Sequence, residues 1–536
     1  MTVLPAARRP GVADLLAAQT AFALRDLWRT RVVFIFTFLF PLTWLVVLGF
    51  LVGDATADGT GGVPVMQYVT PTAAVMGVLY GAYPTVAVSL ADARERGVLK
   101  RVRGTPVPAA VYLAGRVGAA VVFALGSVLT MLAAGVLVYD VRIVWRTVPA
   151  SLATVVVALV CFAAAGMAVA TTARSAAVAQ AASIGSAVVI GFVSGVLAWG
   201  DMPGWADRIA AFFPLKPFND ALQAQFDPGG AGSGWDPGAL AVMAAWAVGA
   251  GVLAARAFRW DPAARGGRAD PPPPRRPAAR RRPAVTVTAR PGGVALLLGQ
   301  AGWATRAAVR DVGWVFFAVA MPVGLYAFTA AVVPASPGGT TRLAAGMIAW
   351  GALVTAFVNM PEAVARARDR GVLKRLRGTP LRPAVHVAGR IVAVLWIALL
   401  TGGLVVLAGV SWFGVRPTAA GLLWAAGWVV VGTATLAACG LALASALPDS
   451  RTVTAVALGI SLPVAFFSDV FAIDATPAWM SAAGSVLPLR HLVTLVAAAL
   501  DPGGPTAGWT APAVLLAWLV GAGFVAVRTF RWSGRR

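Results

Sequence analysis

Side chains able to do chemistry are scarce in this 536-residue chain. The two cysteines, Cys161 and Cys439, sit inside apolar runs, where a cysteine reads as a small buried hydrophobe, and two cannot make a disulfide framework or a zinc site. The two histidines, His386 and His491, fall on opposite sides of the membrane in the topology argued below, so no cluster at one depth can support catalysis or hold a metal. Three lysines, Lys100, Lys216 and Lys374, are followed by Arg, Pro and Arg. The Lys-Ser/Thr step of a phosphate-cradling loop is therefore missing. What remains is charge, concentrated in two arginine-rich loops. One reads Arg94-Glu95-Arg96-Gly97-Val98-Leu99-Lys100-Arg101-Val102-Arg103-Gly104. The other reads Arg368-Asp369-Arg370-Gly371-Val372-Leu373-Lys374-Arg375-Leu376-Arg377-Gly378.

The elements that must position these loops follow from composition. Apolar residues make up 59% of the chain and charged ones 12%, and the mean hydropathy is +0.78. That excludes a water-soluble globule and a disordered chain alike. A net charge of +23 would suggest nucleic acid in a soluble protein; here it must lie in loops between membrane spans, and no nucleic-acid partner is expected. A span needs about 20 predominantly apolar residues. Such runs occur near 32–52, 69–91, 111–137, 148–170, 176–199 and 238–258, and again near 312–333, 343–365, 385–411, 418–446, 452–473 and 510–529. With the N-terminus in the cytoplasm, the inner segments carry 37 Lys and Arg and the outer loops 7, which sets both termini inside.

The chain repeats itself. Residues 94–116 and 368–390 match at 16 of 23 positions at an offset of 274, which also aligns Gly166 with Gly440 and Pro214-Leu215 with Pro488-Leu489. Six spans per half give both halves one orientation, a parallel repeat about an axis along the membrane normal. The expected organisation is a first transmembrane domain over 1–260, a linker over 261–291 and a second domain over 292–536. The linker has eight prolines and eight arginines and reads as an extended cytoplasmic tether. Weakly amphipathic stretches over 11–28 and 292–311 read as interfacial helices ahead of each half.

In the first loop Val98, Leu99 and Val102 share a helical face and the basic residues take the other. Gly104 suits the position just past a helix end, and Thr105-Pro106 suits the start of the next helix. Glu95 and Asp369 can pair with neighbouring arginines or accept a cation from a docking protein.

The segment from Arg94 to Arg116 resembles the cytoplasmic signature of ABC-2 type permeases, the membrane subunits of bacterial drug, polysaccharide and lipid exporters, with the daunorubicin-resistance permease as one example. Phe213-Pro214-Leu215 and Leu487-Pro488-Leu489 resemble that family's Pro-Leu segment after the fifth span, which belongs to re-entrant helices on the outer side. The resemblance implies an all-α polytopic fold of twelve transmembrane helices in two six-helix repeats. It also implies that residues 94–106 and 368–380 are coupling helices seating on two nucleotide-binding ATPase subunits, a homodimer. ATP and magnesium would then bind in those subunits, with no cofactor and no catalysis in this chain. Two departures stand out: the usual six-span permease dimerises, whereas both halves here share one chain, and Pro448-Asp449 replaces Arg174-Ser175.

The function so implied is export of a hydrophobic or amphiphilic compound, an antibiotic or a lipid, across a bacterial plasma membrane. Tyr80, Tyr83, Phe192, Phe357, Asn359, Phe466 and Phe467, on the second and fifth spans of each half, are candidates to line the path. The alternative is a proton-coupled secondary exporter of the major facilitator kind. It needs ionisable residues within spans, and the nearest case is Asp469, at the end of one.

Overall fold

A computed structural model describes residues 11–29, 31–53, 55–56, 62–105, 107–197, 204–258, 292–332, 338–379, 381, 383–471, 477–503 and 508–529. The 261–291 linker, Pro106 and Pro380 lie outside the described residues. Twelve described helices are long and apolar enough to cross a bilayer. Spans one to six are Ile35–Val52, Met66–Glu95, Ala110–Tyr139, Trp145–Thr172, Ala176–Val193 and Pro237–Ala257. Spans seven to twelve are Val312–Val332, Gly339–Asp369, Ala384–Trp412, Ala419–Ala446, Ser450–Phe467 and Thr510–Thr529.

Spans two and eight form the axis of each half: 89% of each apolar window is buried. Span two is enclosed by spans three, four and five, and span eight by spans nine, ten and eleven. The first span of each half is locally underwound for a reason visible in the sequence. Pro41 and Pro322 have no N–H to give, so the carbonyls four residues earlier, on Thr37 and Ala318, lose their intrahelical donor. A π-turn precedes each proline, Ile35–Leu39 and Phe316–Ala320. The freed carbonyls accept from span-three and span-nine hydroxyls, Ser127 Oγ to Thr37 O at 2.5 Å and Thr401 Oγ1 to Ala318 O at 3.1 Å. Pro84 frees the carbonyl of Tyr80 in the same way, and Thr85 Oγ1 donates to it at 3.0 Å. In a bilayer, where water cannot serve, such local repair is what lets proline sit inside a span.

The halves meet at two seams, span five against span seven and span one against span eleven. Gly185 allows the first: a Cβ there would come within 2.6 Å of the Phe316 ring. Its equivalent at the same offset, Gly459, faces Leu39 and Ile35 across the second. The helices Val12–Arg29 and Gly293–Val309, which precede the halves, pack along spans three and nine. Ala23 and Leu27 are buried against Ala119 and Phe123, while Val12 and Leu16 stay exposed.

Candidate functional site

Each arginine-rich loop folds as a single short helix, Val98–Arg103 in the first half and Val372–Arg377 in the second. Its apolar side is seated in the body of the same half. Leu99 is 1% exposed among Leu90, Ala93, Tyr112 and Ala170, and Leu373 is 0% exposed. Lys100, Arg101, Arg103, Lys374 and Arg375 are exposed. The turn chemistry is set by Gly97 and Gly371, not by the glycines that close the loop helices. The left-handed glycine is at the start of the loop helix, with Gly97 at φ 68° and Gly371 at φ 66°. Gly104 and Gly378 keep negative φ, −84° and −79°. The reason is that span two ends at Glu95 and needs its own stop: Gly97 N–H bonds back to Arg94 O at 3.1 Å, a left-handed helix ending that glycine adopts without strain. Thr105 does not cap the next helix either; its hydroxyl donates to Val102 O at 2.7 Å.

The last two residues of span two face the hairpin between the fourth and fifth spans. Arg94 is only 7% exposed and donates to Ala173 O, and to Thr171 O at 3.4 Å, at the C-terminal end of span four. Glu95 turns the other way and accepts the backbone N–H of Ala176, the first residue of span five, at 2.9 Å. The second half repeats this at the same offset. Arg368, also 7% exposed, donates to Ala444 O at 2.8 Å, Leu447 O at 2.9 Å and Pro448 O at 3.1 Å. Asp369 accepts the N–H of Ser450, the first residue of span eleven, at 2.8 Å. A helix presents unpaired carbonyls at its C-terminus and unpaired amides at its N-terminus, so a cation and an anion on adjacent residues match the hairpin's two ends. Arg368 Nε also lies 3.8 Å from Asp369 Oδ1. Asp369 thus has the neighbouring arginine expected of it, while the backbone-amide partners of both acids were not foreseen. Pro448-Asp449, the departure from Arg174-Ser175, changes little here: Ser175 Oγ accepts from Val178 N–H at 3.2 Å and Asp449 Oδ1 from Thr452 N–H at 2.9 Å, both capping the span that follows.

At the opposite end of the bundle, two short helices follow the fifth span of each half. Gly204–Phe212 and Leu215–Phe226 form the first pair. Ala478–Gly484 and Pro488–Leu500, bent by 96°, form the second. Leu215 and Leu489 are fully buried at the bends beside Pro214 and Pro488. In the first half a polar network holds the returning helix. Thr72 Oγ1 donates to Asn219 Oδ1 at 3.0 Å, Gln223 Nε2 to Thr72 Oγ1 at 2.7 Å, Gln225 Nε2 to Thr154 Oγ1 at 3.0 Å, and Gln67 Nε2 to Phe226 O at 2.7 Å. Lys216 bonds Asp207 and Asp220, each at 2.9 Å. Burial works against its charged form, but the two carboxylates outweigh it and hold its pKa above the ordinary lysine value.

The aromatic candidates separate into two groups. Tyr80 is enclosed in its own half, with Phe36 and Phe40 against its ring. Tyr83 reaches Ser186 of span five, its hydroxyl 2.8 Å from Oγ. Phe357 and Asn359 lie in a π-turn of span eight, Leu353–Asn359. The others stand at the seams: Phe192 meets Phe328 of span seven edge-on at 6.4 Å, Phe466 packs into the first half's core, and Phe467 meets Trp479 at 5.9 Å. Leu42, Val46, Val47 and Phe50 of span one line an apolar cavity there together with Phe467, Trp479 and Met480.

Two like bundles of six spans, each with an amphipathic helix locked to its own body at one end and a returning hairpin at the other, define a polytopic membrane protein with a duplicated core. The ABC-2 type transporter family matches twice, over residues 15–226 and 285–500. The chain belongs to that family and is a membrane component of its transporters. No curated protein matches it.

Proposed function

We propose that this chain forms the translocation pathway of an exporter driven by ATP hydrolysed in separate subunits. Two nucleotide-binding subunits, a homodimer, seat on the two loop helices, and the loop-helix end faces the cytoplasm of a bacterial plasma membrane. The observation that carries this reading is the doubled loop helix: two equivalent helices at one end, each with its apolar side in the transmembrane body and its cations exposed. The excess of Lys and Arg at that end supports its orientation. Aromatic side chains at both seams and the scarcity of charge within spans support a hydrophobic or amphiphilic cargo, such as an antibiotic or a lipid.

The test is reconstitution of the full chain in liposomes. Alone it shows no ATP turnover; with the ATPase that co-purifies from its native membrane it does. Export by the pair persists when the proton gradient is dissipated at constant ATP. Robust turnover by the isolated chain, or loss of export on collapse of the gradient, overturns the reading.

A further inference from the structure

The arginine–acid dipeptides do more than end a span. We propose that Arg94–Glu95 and Arg368–Asp369 are positioning residues that pass displacement of each loop helix to the fifth span of the same half, and through it to the seam with the other half. This rests on the reading of the loop helices as the seats of a motor.

The route is continuous. The loop helix is joined to its axial span through one left-handed glycine and is pinned by a single buried leucine, Leu99 or Leu373. The last two residues of the axial span, one arginine short of that glycine, hold the neighbouring hairpin by both ends, guanidinium on carbonyls and carboxylate on an amide. Charge-assisted bonds of this kind are the strong ones, and two of opposite sign resist both sliding and rotation of the hairpin. The held helix then runs to the seam, where Gly185 receives Phe316 and Gly459 faces Leu39 and Ile35. The acid differs by one methylene between halves, yet both carboxylates reach the first amide of the next span, at 2.9 and 2.8 Å. The shared function is the grip on that amide, not the side chain that makes it.

A simple cap would stabilise the hairpin without transmitting anything, so the test reads transmission. The full chain is placed in nanodiscs with Cys161 and Cys439 replaced by alanine. Spin labels go on Val189→Cys and Val312→Cys, exposed positions on either side of the seam between spans five and seven. Leu99→Asp unseats the first loop helix; Leu99→Ala serves if that variant is not monodisperse. With the dipeptide intact, unseating shifts the inter-label distance distribution. Glu95→Gln abolishes the shift, and Glu95→Asp, which keeps the charge, restores it. Leu373→Asp, acting on the other hairpin, leaves this pair of labels unmoved. A shift that survives Glu95→Gln, or no shift with the dipeptide intact, overturns the proposal. No motor subunit takes part, so loss of the ATPase reading would show separately, as absence of ATP turnover in the co-purified preparation.

Discussion

The two ends of this molecule treat duplication differently. At the loop-helix end the halves are near copies: the same left-handed glycine, the same buried leucine, an arginine on carbonyls at the end of the fourth or tenth span, and an acid on the equivalent amide. At the opposite end the returning helices occupy equivalent places by different means. Gln67, Thr72, Thr154, Asn219, Gln223 and Gln225 of the first half become Thr341, Gly346, Trp428, Val493, Ala497 and Ala499 at the offset of 274. A polar network is replaced by apolar packing. Lys216, held by two carboxylates, becomes Arg490, 3.4 Å from Ser481 Oγ. The seams differ as well: with spans one and seven aligned on Pro41 and Pro322, Phe328 stands where the first half has Val47, a wall of the apolar cavity. The lesson is that backbone groups at helix ends constrain both copies equally, whereas packing around a pair of short helices has more than one solution.

Three pairs of substitutions would sharpen or break that contrast, each read by denaturant unfolding of the full chain in mixed micelles. The largest effect belongs to the shared end. Arg368→Ala strands three carbonyls and Arg94→Ala two. Each should cost about 3 kcal/mol, with the second half losing more; a negligible loss in either half breaks the equivalence. Next comes the divergent end. Val493→Asn buries an amide where the second half has no matching network and should cost about 2 kcal/mol. The reverse change, Asn219→Val, removes one hydrogen-bonded group from a network and should cost about 1 kcal/mol. Equal costs would mean that the two hairpins are not differently built. Smallest are Ser127→Ala and Thr401→Val, about 0.6 kcal/mol each. In a Pro41→Ala background the Ser127→Ala cost should vanish, because Thr37 O regains its own helical donor.

Much of this architecture is legible in the sequence. The twelve spans, the parallel repeat and the amphipathic loop helices follow from hydropathy and internal identity, because each depends on local pattern alone. The partners of Arg94, Glu95, Arg368 and Asp369 do not, since a loop rich in arginine explains its charges without reference to a hairpin some 80 residues away. A signal was present: the dipeptides and the 173–176 and 447–450 turns keep one offset. Gly104 does lie just past the loop helix, but two glycines bracket that helix, and only the requirement to stop span two makes Gly97 the left-handed one. The pairing of Ser127 with Pro41, and of Thr401 with Pro322, was equally hidden, since it needs the knowledge that span three passes span one at that depth.

Both bundles lie on one polypeptide, and that has a consequence for inheritance. In a transporter assembled from two identical permeases, every substitution enters twice, so a residue good for one side of the passage must be tolerated on the other. Here a substitution enters once. A polar hairpin can face an apolar one, and a cavity at one seam can face a filled seam, without either being averaged away.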